Sequence, residues 1–244
     1  MSEKGQSSSR IGHGMRVGRG STTGKNEAAA IMQQNGWLSR QPEPFQKEVL
    51  RRSILLNFAA GEVVYHFGDD VGGIYGLVSG IASINSAPPT ETPRLVHIGA
   101  PGGWTGEGSF LTRQPRRIEL RALTNILMFH LPLDQMDQMV GEDPTVIRNF
   151  SQILMMTVDV LIGIVHGLQI PDADRRIAVT LRRMAPIGVH NIPLSQTDIG
   201  ILANASRKQV NATLQRFSKL GIAEVGYRSI KIVDQKALDQ FLAE

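Results

Sequence analysis

The stretch LSQTDIGILANASRKQVNATLQRFSKL, Leu194 to Leu220, decides how the C-terminal part of this 244-residue chain is read. Ser195 followed three residues on by Asp198 has the form of a capping box, in which the hydroxyl accepts from a free N–H of the first turn and the carboxylate reaches back to the cap. The spacing predicts a helix over Gln196–Ala203. Asn204-Ala205 is a tight break, and Ser206 with Gln209 repeats the signal, which predicts a second helix over Arg207–Lys219. Ile199 and Leu202 on the first helix face Val210, Leu214, Phe217 and Leu220 on the second, whose i, i+4, i+7 spacing makes one apolar stripe. After Gly221, the runs IAEV and SIKIV flank a turn at Gly226-Tyr227-Arg228 and read as a hairpin. Helix, short turn, helix and hairpin in this order make a winged helix-turn-helix.

The polar side chains left on the second helix are Arg207, Lys208, Gln209, Asn211 and Gln215. They suit a DNA major groove: Arg bridges guanine O6 and N7, Asn or Gln bridges adenine N6 and N7, and Lys donates to guanine or phosphate. The hydroxyls of Ser195, Thr197 and Ser206 lie near helix N-termini, where the free N–H groups and the helix dipole favour phosphate. Such contacts position a protein without specifying sequence. An ordinary helical hairpin with a solvated polar face is the competing reading of the same residues.

Composition narrows the classes. Apolar residues at 41% with 20% charged are ordinary for a soluble chain, and 244 residues suffice for two domains with cores. The absence of cysteine excludes disulfides, thiolate zinc sites, cysteine-ligated clusters and a cysteine nucleophile. No G-x-S-x-G elbow or Walker loop is present, so no catalytic residue is assigned and an enzyme is not expected. A net charge of +4 permits nucleic-acid binding without demanding it. The first residues carry no apolar signal core, and the most hydrophobic later stretch is broken by Asp159 and His166; a cytoplasmic location without membrane contact is the expectation.

Residues 1–26 are Gly, Ser and basic residues and are expected to form a disordered tail, with Arg10, Arg16, Arg19 and Lys25 able to touch a DNA backbone. From Glu27 to Leu50 short helices break around Asn35-Gly36 and Pro42-Glu43-Pro44. From Ser53 to Leu133 short apolar runs alternate with glycine turns, the mark of an antiparallel sandwich or roll. His66, His97 and His130 fall on these runs, but their spacing forms no metal-binding pattern, and no metal is expected.

GEVVYHFGDD at 61–70, IYGLVSG at 74–80, GGWTGEGSFL at 102–111 and RRIELRAL at 116–123, followed by the winged helix-turn-helix, resemble the Crp/Fnr family of bacterial transcription regulators over nearly everything after residue 40. The resemblance implies an α+β chain: an N-terminal antiparallel β-roll of the cyclic-nucleotide-binding, jelly-roll kind over 27–143, a long dimerisation helix and hinge over 144–171, and a winged helix-turn-helix over 172–244. It implies a homodimeric, sequence-specific regulator of palindromic DNA under a small-molecule effector, with RNA polymerase as a further partner. In the family a cassette holds the ribose and cyclic phosphate through a short helix N-terminus, a Glu and an Arg, which Gly106, Glu107 and Arg116 match by position. Two departures stand out. Arg117 replaces the Ser or Thr of the cyclic-AMP binders, and Leu161 and Ile162 stand where polar residues reach adenine, so weak or absent cyclic-AMP binding is expected, and the fold is kept with a cyclic nucleotide, with another small effector or with its ligand lost.

Between the domains, Ile147, Phe150, Leu154, Thr157, Leu161, Ile164 and Leu168 alternate three and four residues apart as an a/d seam. Val146, Ile153 and Val160 widen it on one side, and Val158 and Val165 on the other. A helix this apolar needs cover on two sides, the roll on one and a partner's identical helix on the other. Ile170-Pro171-Asp172 ends it, with Asp172 as hinge residue and cap of the next helix. Arg175, Arg176, Arg182 and Arg183 on that helix are expected at phosphate or on a solvated basic face, and 235–242 is expected to be a short helix. Two other classes fit parts of the pattern: a ligand-binding signalling module without DNA, and a metal enzyme on a cupin-like roll.

Overall fold

The computed structural model describes residues 24–87, 93–184 and 191–243. It opens with α1 (Lys25–Gln34), a 3-10 turn at Leu38–Arg40 and α2 (Glu43–Arg52). Lys25 and Asn26, expected in the tail, belong to α1, and residues 1–23 of that expected tail lie outside the described residues. Lys25 Nζ donates to Ser53 O at 2.7 Å, which ties it to the start of the roll and away from a DNA-contact role. Arg10, Arg16 and Arg19 lie outside the described residues.

The roll consists of β1 (Ile54–Phe58), β2 (Val63–Tyr65), β3 (Ile74–Ser79), β4 (Ala82–Ser86), β5 (Arg94–Gly99), β6 (Trp104–Thr105), β7 (Glu119–Ala122) and β8 (Ile126–Leu131). Two four-stranded sheets, β1-β8-β3-β6 and β2-β7-β4-β5, are antiparallel throughout. The run ILMFHL in β8 shows why the strands are so apolar. Ile126 and Met128 point between the sheets, onto Tyr65, Leu77 and Leu120, while Leu127, Phe129 and Leu131 point the other way, onto α1 and α2. His66 falls just past β2 and is exposed.

α3 (Glu107–Thr112) sits between β6 and β7, and α4 (Leu133–Glu142) follows β8. The long helix α5 (Ile147–Leu168) begins after a 3-10 turn at Pro144–Val146. Its N-terminal half corrects the expected seam. Phe150 is fully buried by its own chain, with Trp37, Phe45 and Phe110 rings 6.0, 5.4 and 5.3 Å away. Ile153 is buried beside it and Ile147 packs at the same cluster, so these positions face the roll and Phe150 is no dimer contact.

The head comprises α6 (Ala173–Met184), β9 (Asn191–Ile192), α7 (Gln196–Ala203), α8 (Arg207–Lys219), β10 (Ala223–Gly226), β11 (Ser229–Ile232) and α9 (Gln235–Ala243). The two helix-turn-helix elements have the expected bounds. β9 was not anticipated: it pairs with β11 to make the three-stranded order β10-β11-β9. Val210, Leu214 and Phe217 are buried as the stripe requires, but Leu220 is 56% exposed because it caps α8 after the apolar face has turned away. The head rests on the roll of its own chain. Ile81 and Ile98 are buried in one cluster with Ile177, Leu181 and Leu202, and α7 lies against β5.

His97, half-buried on β5, lies near Arg183 of α6; burial first and Arg183 second push its pKa from 6.5 to about 4. Between those values the unfolded chain takes up a proton that the folded chain refuses, so stability is complete above about 6.5 and falls as pH drops towards 4. The melting temperature is expected to fall across that window, and His97→Gln to remove part of the fall. Equal pH slopes for wild type and variant would show that His97 carries a proton in the folded head–roll contact.

Candidate nucleic-acid interface and effector cassette

Both helix starts close as capping boxes. Asp198 N donates to Ser195 Oγ at 3.2 Å, while Ser195 N and Oγ donate to Asp198 Oδ2 at 2.8 and 2.6 Å. Gln209 N donates to Ser206 Oγ at 3.3 Å, and Gln209 Oε1 accepts from Ser206 N and Oγ at 2.9 Å each. The break between the helices is a left-handed Asn204 with φ 46°, a conformation Asn tolerates better than most residues. Gly200 permits it: a Cβ there would lie 2.7 Å from Ala205 O.

This geometry divides the sequence-predicted contacts. Ser195, Ser206 and Gln209 use their side-chain oxygens to close helix ends, so the hydroxyl-to-phosphate contact expected of Ser195 and Ser206 competes with a formed bond. Arg207, Lys208, Asn211 and Gln215 are exposed on one face of α8, and Thr197 is exposed on α7. Gln196, absent from the sequence reading, joins them: it lines one groove with Arg207, Lys208 and Asn211 and another with Asn211, Gln215 and Lys219. Its position directly after the first cap was the available signal. α8 is held from behind by Asp174, which accepts from Thr213 Oγ1 and, at 3.2 Å, from Arg216 Nη1. At the wing tip Tyr227 is 94% exposed, and Arg228 takes φ 49°.

Of the four arginines of α6, Arg182 stays on an exposed face as expected, while Arg175, Arg176 and Arg183 depart from both expected roles. Arg175 donates to Leu242 O at 2.8 Å, Arg182 lies 3.9 Å from Asp239, and Arg176 donates to four backbone carbonyls. Arg183 is half-buried, and burial pushes its pKa down. These guanidiniums chiefly hold the head together.

In the roll, the cassette residues Gly106, Glu107 and Arg116 do converge. Gly106 caps α3 with φ 104°, and a Cβ there would lie 2.6 Å from Arg116 Nη1, so glycine is required twice over. Glu107 is 5% exposed; burial pushes its carboxyl above the usual range, and the Thr157 hydroxyl of α5 shares its one proton between Glu107 Oε1 at 3.2 Å and Ile153 O at 3.1 Å. Arg116, also 5% exposed, donates to Gly73 O at 2.7 Å and Gly106 O at 3.2 Å. Its guanidinium lies 4.4 Å from the Tyr65 ring centre and 5.8 Å from that of Tyr75. Tyr75 stacks on His130 with centroids 4.3 Å apart.

Arg117 is exposed and donates to Gln114 Oε1, directed away from the buried Arg116 group. Leu161 and Ile162 are 50% and 49% exposed on α5. Sequence reading missed Tyr65, Tyr75 and His130 as neighbours of the cassette and placed Thr157 only on the seam. Their strand alternation puts them on one side, but the cross-strand partner is set by register: Tyr75 lies opposite His130. Among the described residues no group of three His, Cys, Asp or Glu side chains is placed to hold a metal ion.

Comparison with known proteins matches both units. Residues 55–143 fit the model of the cyclic nucleotide-binding domain, and residues 175–241 that of the Crp-like helix-turn-helix domain. The chain is 23% identical over 191 residues to a CRP-like cAMP-activated global transcriptional regulator of Mycobacterium tuberculosis, covering 75% of this chain and 85% of that protein. A CRP/FNR-family transcriptional regulator of Thermus thermophilus superposes with a TM-score of 0.63 at 18% identity, over 78% of this chain and 99% of the other. The c-di-GMP-responsive global regulator CLP of Xanthomonas campestris gives a TM-score of 0.63 at 16% identity, over 79% and 100%.

Proposed function

Because the chain belongs to the Crp/Fnr family and is a DNA-binding transcription regulator under effector control, we propose that it acts as a homodimer on a palindromic operator in the cytoplasm. One observation carries the dimer. From Leu154 onward, α5 leaves Leu154, Met155, Leu161, Ile162, Val165 and Leu168 between 40% and 57% exposed. Leu154, Leu161 and Leu168 are spaced by sevens, and Ile164 is half-buried beside them. Pro144–Leu168 also has the length and hydropathy of a membrane span. Its two ends, however, run into folded units that bury Phe150 at one and Gly167 at the other, so the open stripe is read as covered by the same helix of a second copy. Two-fold symmetry then requires two half-sites about 34 Å apart.

Arg207, Lys208, Asn211, Gln215 and Gln196 are proposed to read base edges or adjacent phosphate, with Thr197 at the backbone. Ser195, Ser206 and Gln209 support them by closing helix ends, and Asp172 serves as the hinge cap, its Oδ1 accepting from Arg175 N at 2.8 Å. RNA polymerase as a protein partner belongs to the same proposal, which includes no catalytic role.

The effector is proposed to occupy the space around Gly106, Glu107 and Arg116 and to differ from cyclic AMP. Relatives named for cAMP and for c-di-GMP show how little the fold alone restricts the ligand. Here Arg116 and Glu107 already have partners, Arg117 stands in place of a hydroxyl, and α5 offers Leu161 and Ile162 where polar contacts to a base are expected.

Titration calorimetry with cyclic AMP is expected to give no micromolar binding. Micromolar affinity that disappears in Glu107→Ala would overturn this effector assignment. Leu154→Lys combined with Leu161→Lys should give monomers or aggregates, because each ammonium would be buried without a partner; a dimer of that variant in light scattering would place the interface elsewhere. Arg207→Ala should weaken binding to a selected duplex by roughly 1–3 kcal/mol and to random duplex far less. Ser206→Ala should first lower stability, by about 1 kcal/mol. Selected-oligonucleotide binding in which Arg207→Ala keeps every base preference would remove the recognition role of that residue.

A further inference from the structure

Two helix C-termini meet at one guanidinium. Past the end of α5 come the carbonyls of Ile170 and Pro171, and at the end of α7 those of its last residue Ala203 and its cap Asn204; helix ends carry free carbonyls and partial negative charge. Arg176, in the first turns of α6, lies between them. Its Nη1 donates to Ile170 O and Pro171 O at 2.8 Å each, Nε to Ala203 O at 2.9 Å, and Nη2 to Asn204 O at 3.0 Å. The acceptors are backbone atoms, so the link is indifferent to the side chains around it. One pair belongs to the hinge. The other belongs to the break that sets the angle between α7 and α8.

Neighbouring residues on α6 do separate work. Asp174 holds the back of α8, and Arg175 reaches the C-terminal end at Leu242. Only the planar fork of an arginine offers donors in four directions at this spacing; a lysine ammonium has three and no fixed plane.

We propose that Arg176 is a positioning residue that locks the helix-turn-helix break to the end of the long helix. Movement at the hinge is thereby passed on as rotation of α7 and α8 together. The inference deepens the dimer-and-operator reading and rests on it for its effect on DNA. It also turns Arg176 from phosphate contact to a structural role, because four of its five guanidinium N–H groups are directed at carbonyls.

The test uses the full chain carrying Arg176→Met, Arg176→Lys or, as a control of equal charge loss one residue away, Arg175→Met. In hydrogen exchange without DNA, Arg176→Met should exchange at least about fivefold faster at residues 167–172 and 201–206 together, and Arg175→Met should match wild type at both. Arg176→Lys, which keeps the charge between the two helix ends, should melt close to wild type and still loosen both segments. On the duplex that the wild type selects from a random pool, shifting the half-sites by one to three base pairs should weaken the wild type by about tenfold or more. That selectivity should shrink to under about threefold in Arg176→Met, with affinity for an isolated half-site retained.

Loosening of neither segment, or of one alone, overturns the proposal. So does an unchanged spacing preference accompanied by a salt slope lower by about one, the signature of a lost phosphate contact. A wild type without any spacing preference would instead overturn the dimer reading, and joint loosening of the two segments would still sustain the link.

Discussion

A helix of 22 residues that is apolar around most of its girth has to be covered on two sides, and the chain itself covers only one. The roll takes Phe150 and Ile153 into an aromatic cluster where Trp37 Nε1 also donates to Asn149 O at 2.8 Å, fixing the N-terminal half of α5 both by packing and by a directed bond. On the opposite face apolar side chains open outward from Leu154 onward. Both faces belong to one continuous helix, so whatever covers the outer face is rigidly tied to the effector cassette at the inner face. Everything else in the architecture hangs from that rod.

The head adds a second constraint. Of the basic residues clustered on α6, Arg175 and Arg176 are bonded to backbone carbonyls, Arg182 lies near Asp239, and Arg183 is half-buried beside the roll. The mild net charge of +4 therefore overstates what α6 can offer a polyanion. On the outer face of α8, Arg207 and Lys208 are exposed cations beside Gln196, Asn211 and Gln215, and Lys219 lines the adjoining groove.

How much of this was legible depends on whether a feature is local. The two capping boxes are four-residue signals, and the helices they start have the predicted bounds because nothing distant competes with them. The strands were legible as apolar runs, but β6 and β9 were not: at two residues each they have no periodicity, and only pairing with β3 and β11 makes them strands. The seam on α5 was read as one face, although Phe150 and Leu154 belong to opposite environments. A stripe of apolar residues tells how much surface needs cover without telling which neighbour supplies it. Likewise the spacing of Arg175, Arg176, Arg182 and Arg183 marks one region of a helix, whereas the carbonyls that absorb two of them come from segments up to 67 residues away.

The cassette shows the same principle acting on function. Glu107 and Arg116 were identified by resemblance, and their present partners are internal: Thr157 for the carboxyl, and Gly73, Gly106 and two tyrosine rings for the guanidinium. An effector that engages either group has to replace these bonds, and a buried donor or acceptor left without a partner costs about 1–3 kcal/mol. Thr157 lies on α5, so exchanging its bond to Glu107 changes what holds the rod to the roll. An effector that binds the two arrangements with different affinity shifts the balance between them, and a ligand that leaves the Glu107–Thr157 bond intact has no such lever on the helix.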